Sequence, residues 1–289
     1  MSTDRRGLPS QAVEIVASVA QHRALSTQQV REIHLPDAGQ RWTQRVMSRI
    51  EHAGLLAHAR AATAPQRLWF ATEAGLRAAK HAGVIEGSPR LFSADEIAGP
   101  LQAHTVAVND AAICFLRAAR ERGDEFGPLS WRQEVAHPLS VSGRGRSRRT
   151  LFADAVLTYL RLTEDEVLIE QRFMEVDRAT MSVDSLAAEL RRYARLFRAR
   201  DGARPIWRGR YPSFPPVLCV LAAASRGVLE RRRDTALALM RSDLELAEAR
   251  DVSISICLAD DLNEQGPFAP IFYRASAPGG PVNWLGEAK

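Results

Sequence analysis

Apolar residues recur at helical spacing through the first eighty positions. Val13, Ile15, Val16 and Val19 fit one face of a helix within SQAVEIVASVAQHRAL, opened by Pro9. Ser26 then stands where its hydroxyl would cap a short helix, TQQVREIHL. A third helix is predicted in AGQRWTQRVMSRIEHAGLL, with Trp42, Val46, Ile50 and Leu55 inward and Gly54 at its stop. HARAATAPQRLWFAT reads as two short strands around an Ala-Pro turn, and TEAGLRAAKHAGV as a fourth helix.

The pattern then changes. HTVAVNDAAICFLRAARERGDEFG predicts a helix with Val106, Ala111, Ile113 and Leu116 inward and Gly123 at its end. Three strand-like segments follow at 129–137, 150–160 and 164–177. A helix beginning near Ser182 carries an inner stripe of Leu186, Leu190, Tyr193 and Phe197, with Arg191, Arg195 and Arg198 outward and Gly202 as its stop. A buried strand at 215–222, a helix in SRGVLERRRDTALALMRS and a last strand at 252–259 complete the order. After Gly266 the periodicity weakens, which predicts a loose or disordered tail.

With 289 residues, 46% hydrophobic and 25% charged, the chain reads as an ordinary folded protein of two unequal domains. The expected division is 1–90 and 91–289. The net charge of +5 points to an acidic partner only where basic residues cluster. They cluster in SGRGRSRR (142–149), RRYARLFRAR (191–200) and RRR (231–233). Lysine occurs only at Lys80 and Lys289, and a GC-rich genome accounts for most of that bias. Cys114, Cys219 and Cys257 form no CxxC and read as buried apolar residues in a reducing compartment. No apolar leader opens the chain, and VLCVLAAA is too short to span a bilayer, so a cytoplasmic protein with no membrane partner is expected.

Three helices, a hairpin and a returning helix are the order of a winged helix-turn-helix, and LWFATEAGLRAA resembles the wing strand and following helix of such proteins. The third helix would then enter the major groove of double-stranded DNA. Its outward set is Arg41, Thr43, Gln44, Arg45 and Arg49, joined by Arg144, Arg146, Arg148 and Arg149 of the basic loop. Helix, three strands, helix, strand is the core order of the restriction-endonuclease-like, PD-(D/E)XK-type α/β domain. The fold class is therefore α+β, a winged helix followed by such a domain.

In FMEVDR, Glu175 and Asp177 share one face of a strand, about 6.6 Å apart. The nuclease resemblance implies metal ligands on the second and third strands, where Asp154 and Glu175 lie. Under that reading Glu134, Asp154 and Glu175 are catalytic, and Asp154, Glu175 and Asp177 hold Mg²⁺ or Mn²⁺, which would activate water and neutralise the scissile phosphate. No other cofactor is implied. The usual Glu-x-Lys is Glu-Val-Asp here, and Arg178 stays protonated and cannot serve as a base. Some of these nucleases move the third polar group to the following helix, a Lys or Gln four residues before a Tyr; this chain has Glu189 and Tyr193. The competing reading makes Asp177 and Arg178 a structural ion pair and satisfies Glu175 with backbone donors or arginines.

HTVAVND (104–110), WRQE (131–134), FADAV (152–156) and EVDRATMSVDSLAAELRRY (175–193) resemble the replication-relaxation proteins of actinobacterial plasmids and mobile elements. That resemblance implies a DNA-associated role in replication, transfer or regulation. Three readings stay open: a DNA-binding protein, homodimeric or not, with a silent nuclease fold; a Mg²⁺- or Mn²⁺-dependent nuclease; and an adaptor that recruits replication or transfer proteins. The seven histidines lack HExxH or paired spacing, and GRGRS lacks the lysine of a phosphate-binding loop. Trp131 and Trp207 read as core or interface residues.

Overall fold

A computed structural model describes residues 8–60, 66–85, 90–100, 102–140, 150–276 and 279–288. The molecule is α+β, with ten helices and a mixed sheet among those residues. It divides into two compact units, Met1–Leu116 with Gly127–Leu129, and Arg117–Phe126 with Ser130–Lys289.

The first unit opens with α1 (Ala12–Gln21), whose Ile15, Val16 and Val19 are buried. After the two-residue β1 (Leu25–Ser26), Ser26 caps α2 (Thr27–His34). Its hydroxyl accepts from the Gln29 N–H at 3.1 Å while the Gln29 side chain accepts from the Ser26 N–H at 2.9 Å, a reciprocal capping box. Next is α3 (Gln40–His52), which stops at Gly54 in the left-handed region, φ +74°. Strands β2 (Leu56–Arg60) and β3 (Arg67–Ala71) pair antiparallel, and β1 adds to β3, giving the order β1-β3-β2. The expected Ala-Pro turn between them lies outside the described residues. Thr72 caps α4 (Glu73–His81), which approaches the Leu55 backbone so closely that a Cβ on Gly75 would overlap the Leu55 carbonyl oxygen. The short α5 (Ala94–Ala98), with its Ser93–Glu96 capping box, was not legible in the periodicity. Asn109 on α6 (Gln102–Arg122) donates to the Ala24 carbonyl, so the early part of this helix packs in the first unit.

The inner face of α3 departs from expectation. Thr43, Val46, Met47 and Ile50 are buried, whereas Trp42 is 49% exposed. Leu55 falls beyond the helix.

In the second unit β4 (Trp131–Pro138), β5 (Thr150–Leu162) and β6 (Val167–Asp177) form an antiparallel meander. Ser182 caps α7 (Val183–Arg198), which ends at Arg198. Gly202, expected to stop it, instead takes φ +58° in a small hairpin, β7 (Arg200–Asp201) with β8 (Arg204–Pro205). The chain then enters β9 (Val217–Leu221) parallel to β6, and α8 (Arg226–Arg241) and α9 (Leu244–Glu248) lead to β10 (Ile254–Leu258), parallel to β9. Parallel neighbours need long crossovers, and α7 and α8 supply them. After α10 (Ala259–Gln265), β11 (Tyr273–Arg274) closes the order β11-β10-β9-β6-β5-β4.

One face of this sheet packs Val156, Phe173, Val217, Cys219 and Ile256 against Leu186, Leu190 and Tyr193 of α7 and Leu229 and Leu237 of α8. Alternation turns Leu157 and Tyr159 to the other face. There Tyr159 meets Trp284 at 5.1 Å and Phe268 at 6.1 Å. The stretch after Gly266 is thus packed, with Phe272, Val282 and Trp284 buried, against the expectation of a loose tail. Its aromatic and aliphatic residues are too widely spaced to register as periodic. Trp131 and Trp207 are buried, as expected of core residues.

Candidate nucleic-acid interface and buried acid pair

In the first unit, α3 and the β2–β3 ribbon border an open groove of about 1330 Å³. Arg41, Gln44, Arg45, Ser48 and Arg49 line it from α3, Arg60 and Arg67 from the strands, and Gln28 from α2. Among the described residues lining it there is no Asp or Glu. Arg60 and Arg67 are direct cross-strand partners. Like charges placed opposite each other in a sheet repel, and an anion between them removes the penalty.

Four of the α3 residues picked from the sequence, Arg41, Gln44, Arg45 and Arg49, are exposed and face this groove. Thr43 is not among them. It is fully buried, with its hydroxyl directed to the Gly39 carbonyl at 3.3 Å, because position 43 falls on the stripe that packs inward. Arg144, Arg146, Arg148 and Arg149 lie outside the described residues. The periodicity offered no signal for Arg60 and Arg67; only strand pairing sets them opposite each other beside α3.

The two other basic clusters are already engaged in the second unit. Arg191 pairs with Asp243, Arg195 with Glu245, and Arg198 with Glu245 and Glu248. Arg232 pairs with Asp177, and Arg233 pairs with Asp234 and covers the Tyr273 ring at 3.9 Å. These arginines tie α7 and α8 to their surroundings, so they do not form an unengaged phosphate-binding patch.

The acids of the second unit gather at the junction of β5, β6 and α7. The pairing of Ala155 with Met174 sets Asp154 opposite Glu175 one residue further along, and Glu134 falls opposite Asp154 between the pairs Gln133↔Ala155 and Val135↔Ala153. Asp154 accepts from the Val176 N–H at 2.8 Å. Glu175, 6% exposed, accepts from the Tyr193 hydroxyl of α7. Burial pushes the Glu175 carboxyl well above the usual range, the neighbouring Asp154 charge adds to this, and the Tyr193 hydrogen bond opposes it. Glu189, one turn before Tyr193, raises it further and pairs with Arg192 at 3.5 Å. Burial beside Glu175 likewise raises the Tyr193 phenol. Glu134 is exposed and held at φ +49°, a left-handed conformation uncommon for a residue with a Cβ.

Glu175 and Asp177 do share a face, but they are committed to different partners. Asp177 pairs with Arg232 of α8, not with Arg178, and accepts from the Ala179 N–H at 3.2 Å. Glu175 is satisfied by a tyrosine hydroxyl, not by arginine or backbone. A divalent ion needs several ionised carboxylates turned to a common point. Asp177 is held by its arginine, and among the described residues no group of three or more His, Cys, Asp or Glu side chains is arranged to hold a metal. The residues present do not fit the ion that the nuclease resemblance implied.

The family described as replication-relaxation matches residues 16–206, about two thirds of the chain, and the protein belongs to that family. Comparison with curated proteins and with solved structures returned no match. Among the described residues no helix is long and apolar enough to cross a membrane.

Proposed function

We propose that this protein binds double-stranded DNA in the replication or transfer of a plasmid or mobile element, through an N-terminal winged helix joined to a restriction-endonuclease-like domain that no longer cleaves. The observation that carries the reading is the groove beside α3, where five arginines gather with no acid among the described lining residues. A polyanion offsets that concentration of charge, and the planar guanidinium fork suits phosphate and guanine edges. The element order α1-β1-α2-α3-β2-β3-α4 supports a winged helix with α3 as its recognition helix. The meander β4-β5-β6, the crossover α7 and parallel β9 support the nuclease-like core. Membership of the replication-relaxation family supports the biological setting.

Silence of the second domain is supported by its chemistry. Where a lysine would supply a cation beside the acids, Glu189 adds a further negative charge, and Glu175 and Asp177 are held by Tyr193 and Arg232. Gel retardation of duplex DNA across a salt series tests the main claim. Binding should weaken steeply with salt, and replacing Arg45 and Arg49 together with alanine should lower affinity and flatten the log–log slope by about two. Absence of binding at low salt would instead favour an adaptor that recruits replication or transfer proteins.

A further inference from the structure

Trp42 is the residue of α3 whose placement the pattern of the chain least explains. Among the described residues, which include all five tryptophans, Trp42 alone is exposed; Trp69, Trp131, Trp207 and Trp284 are all buried. Thr43, Val46, Met47 and Ile50 make the buried stripe, and Trp42 lies beside it on the shoulder that carries Arg45 and Arg49, three and seven residues further on. The Arg45 guanidinium sits over the indole, 5.9 Å from its centroid. An arginine over an indole both anchors the ring and keeps a positive charge beside it. A large apolar ring left in water under Arg45, on the helix that also presents Arg41 and Arg49, is suited to a ligand that is anionic overall and apolar at points.

Duplex DNA has that character in its major groove, where phosphates border base edges whose apolar projection is the C5-methyl of thymine. We propose that Trp42 reads thymine, packing its indole against C5-methyl groups while Arg41, Arg45 and Arg49 hold the flanking phosphates and purine edges. The proposal rests on the DNA-binding reading above and adds a base preference to it. Unpaired bases stacking on the ring are the competing source of an apolar contact. With one ring face already under Arg45, the methyl contact is the better fit. The two are separable, because uracil keeps the π-face of thymine and lacks only its methyl.

The test amplifies one mixed-sequence duplex with either thymidine or deoxyuridine triphosphate and measures affinity for the full-length protein at fixed salt. Removing the methyls should weaken binding of the parent protein about three- to tenfold, since each buried methyl contributes about fourfold. Trp42→Ala should bind the thymine duplex as weakly as the parent binds the uracil duplex, and should not distinguish the two. Trp42→Gln is a second variant, and far-UV circular dichroism with urea unfolding checks that both keep the parent fold. Equal binding of the two duplexes by the parent protein overturns the proposal and leaves the DNA-binding reading standing; that comparison needs no variant. Retained discrimination by Trp42→Ala also overturns it. Failure of every form to bind either duplex at low salt overturns the DNA-binding reading and this inference with it.

Discussion

At the scale of single residues, buried polar groups set the energetics of the second unit. Asp177 and Arg232 are nearly enclosed, with side-chain exposures of 4% and 11%. Arg232→Ala should therefore cost about 3–5 kcal/mol in urea unfolding, because it strands a buried carboxylate. Adding Asp177→Asn should recover a large part of that loss, and a purely additive cycle would show that the pair is not coupled. Tyr193→Phe removes the donor to Glu175 and should cost about 1–3 kcal/mol. Histidines govern the acid side. Burial lowers His22 to about 3 against the hydrogen bond to the Pro128 carbonyl, and burial beside Arg210 lowers His137 to about 4. Below pH 6.5 the unfolded chain takes up protons that the folded protein refuses, so stability falls as pH drops towards those values. His22 alone should contribute a slope of about 1.4 kcal/mol per pH unit in that window. The raised Glu175 carboxyl acts in the opposite sense in this window, so the slope is checked as the difference in urea midpoints between the parent and His22→Gln from pH 7 to pH 4; the same pH dependence in both would mean that the His22 imidazole ionises without penalty.

At the scale of elements, two contacts decide whether α4 and α7 sit where they do. Gly75 lets α4 close onto the Leu55 carbonyl, and Gly75→Ala should lower stability by about 1–3 kcal/mol by forcing the helix away. The pairs of Arg195 and Arg198 with Glu245 and Glu248 join α7 to α9 on the surface. Since these pairs are largely solvated, replacing either arginine with alanine should cost less than about 1 kcal/mol. DNA affinity should be unchanged by those replacements, in contrast to changes at Arg45 and Arg49. Both elements were legible as helices in the sequence, α7 from its apolar stripe, and the Thr72 and Ser182 caps lie at their starts. Trp42 was misplaced because periodicity weights a large apolar residue as inward, while the helix can bury only one stripe and Thr43 and Met47 share it with Val46 and Ile50.

At the scale of the whole molecule, the arginine-lined groove and the acid pair belong to different compact units, and among the described residues the groove is open while Glu175 of the acid pair is buried. Supercoiled plasmid incubated with the protein in Mg²⁺ or Mn²⁺ should be retarded on a gel and recovered covalently intact, as with an Asp154→Ala control. Nicking that disappears in the control would restore the metal-dependent nuclease. The amino-acid sequence by itself determined the order of the principal elements, their stripes and caps, the basic character of α3 and the family, since these depend on spacing along the chain. It also singled out Asp154 and Glu175. Tertiary structure alone decided which charges meet: Arg232 rather than Arg178 with Asp177, Tyr193 with Glu175, Arg60 opposite Arg67, and the packed Trp284 segment against Tyr159. Those partners are separated by 7 to more than 100 residues in the chain, and strand register and helix packing bring them together at distances that no local pattern encodes.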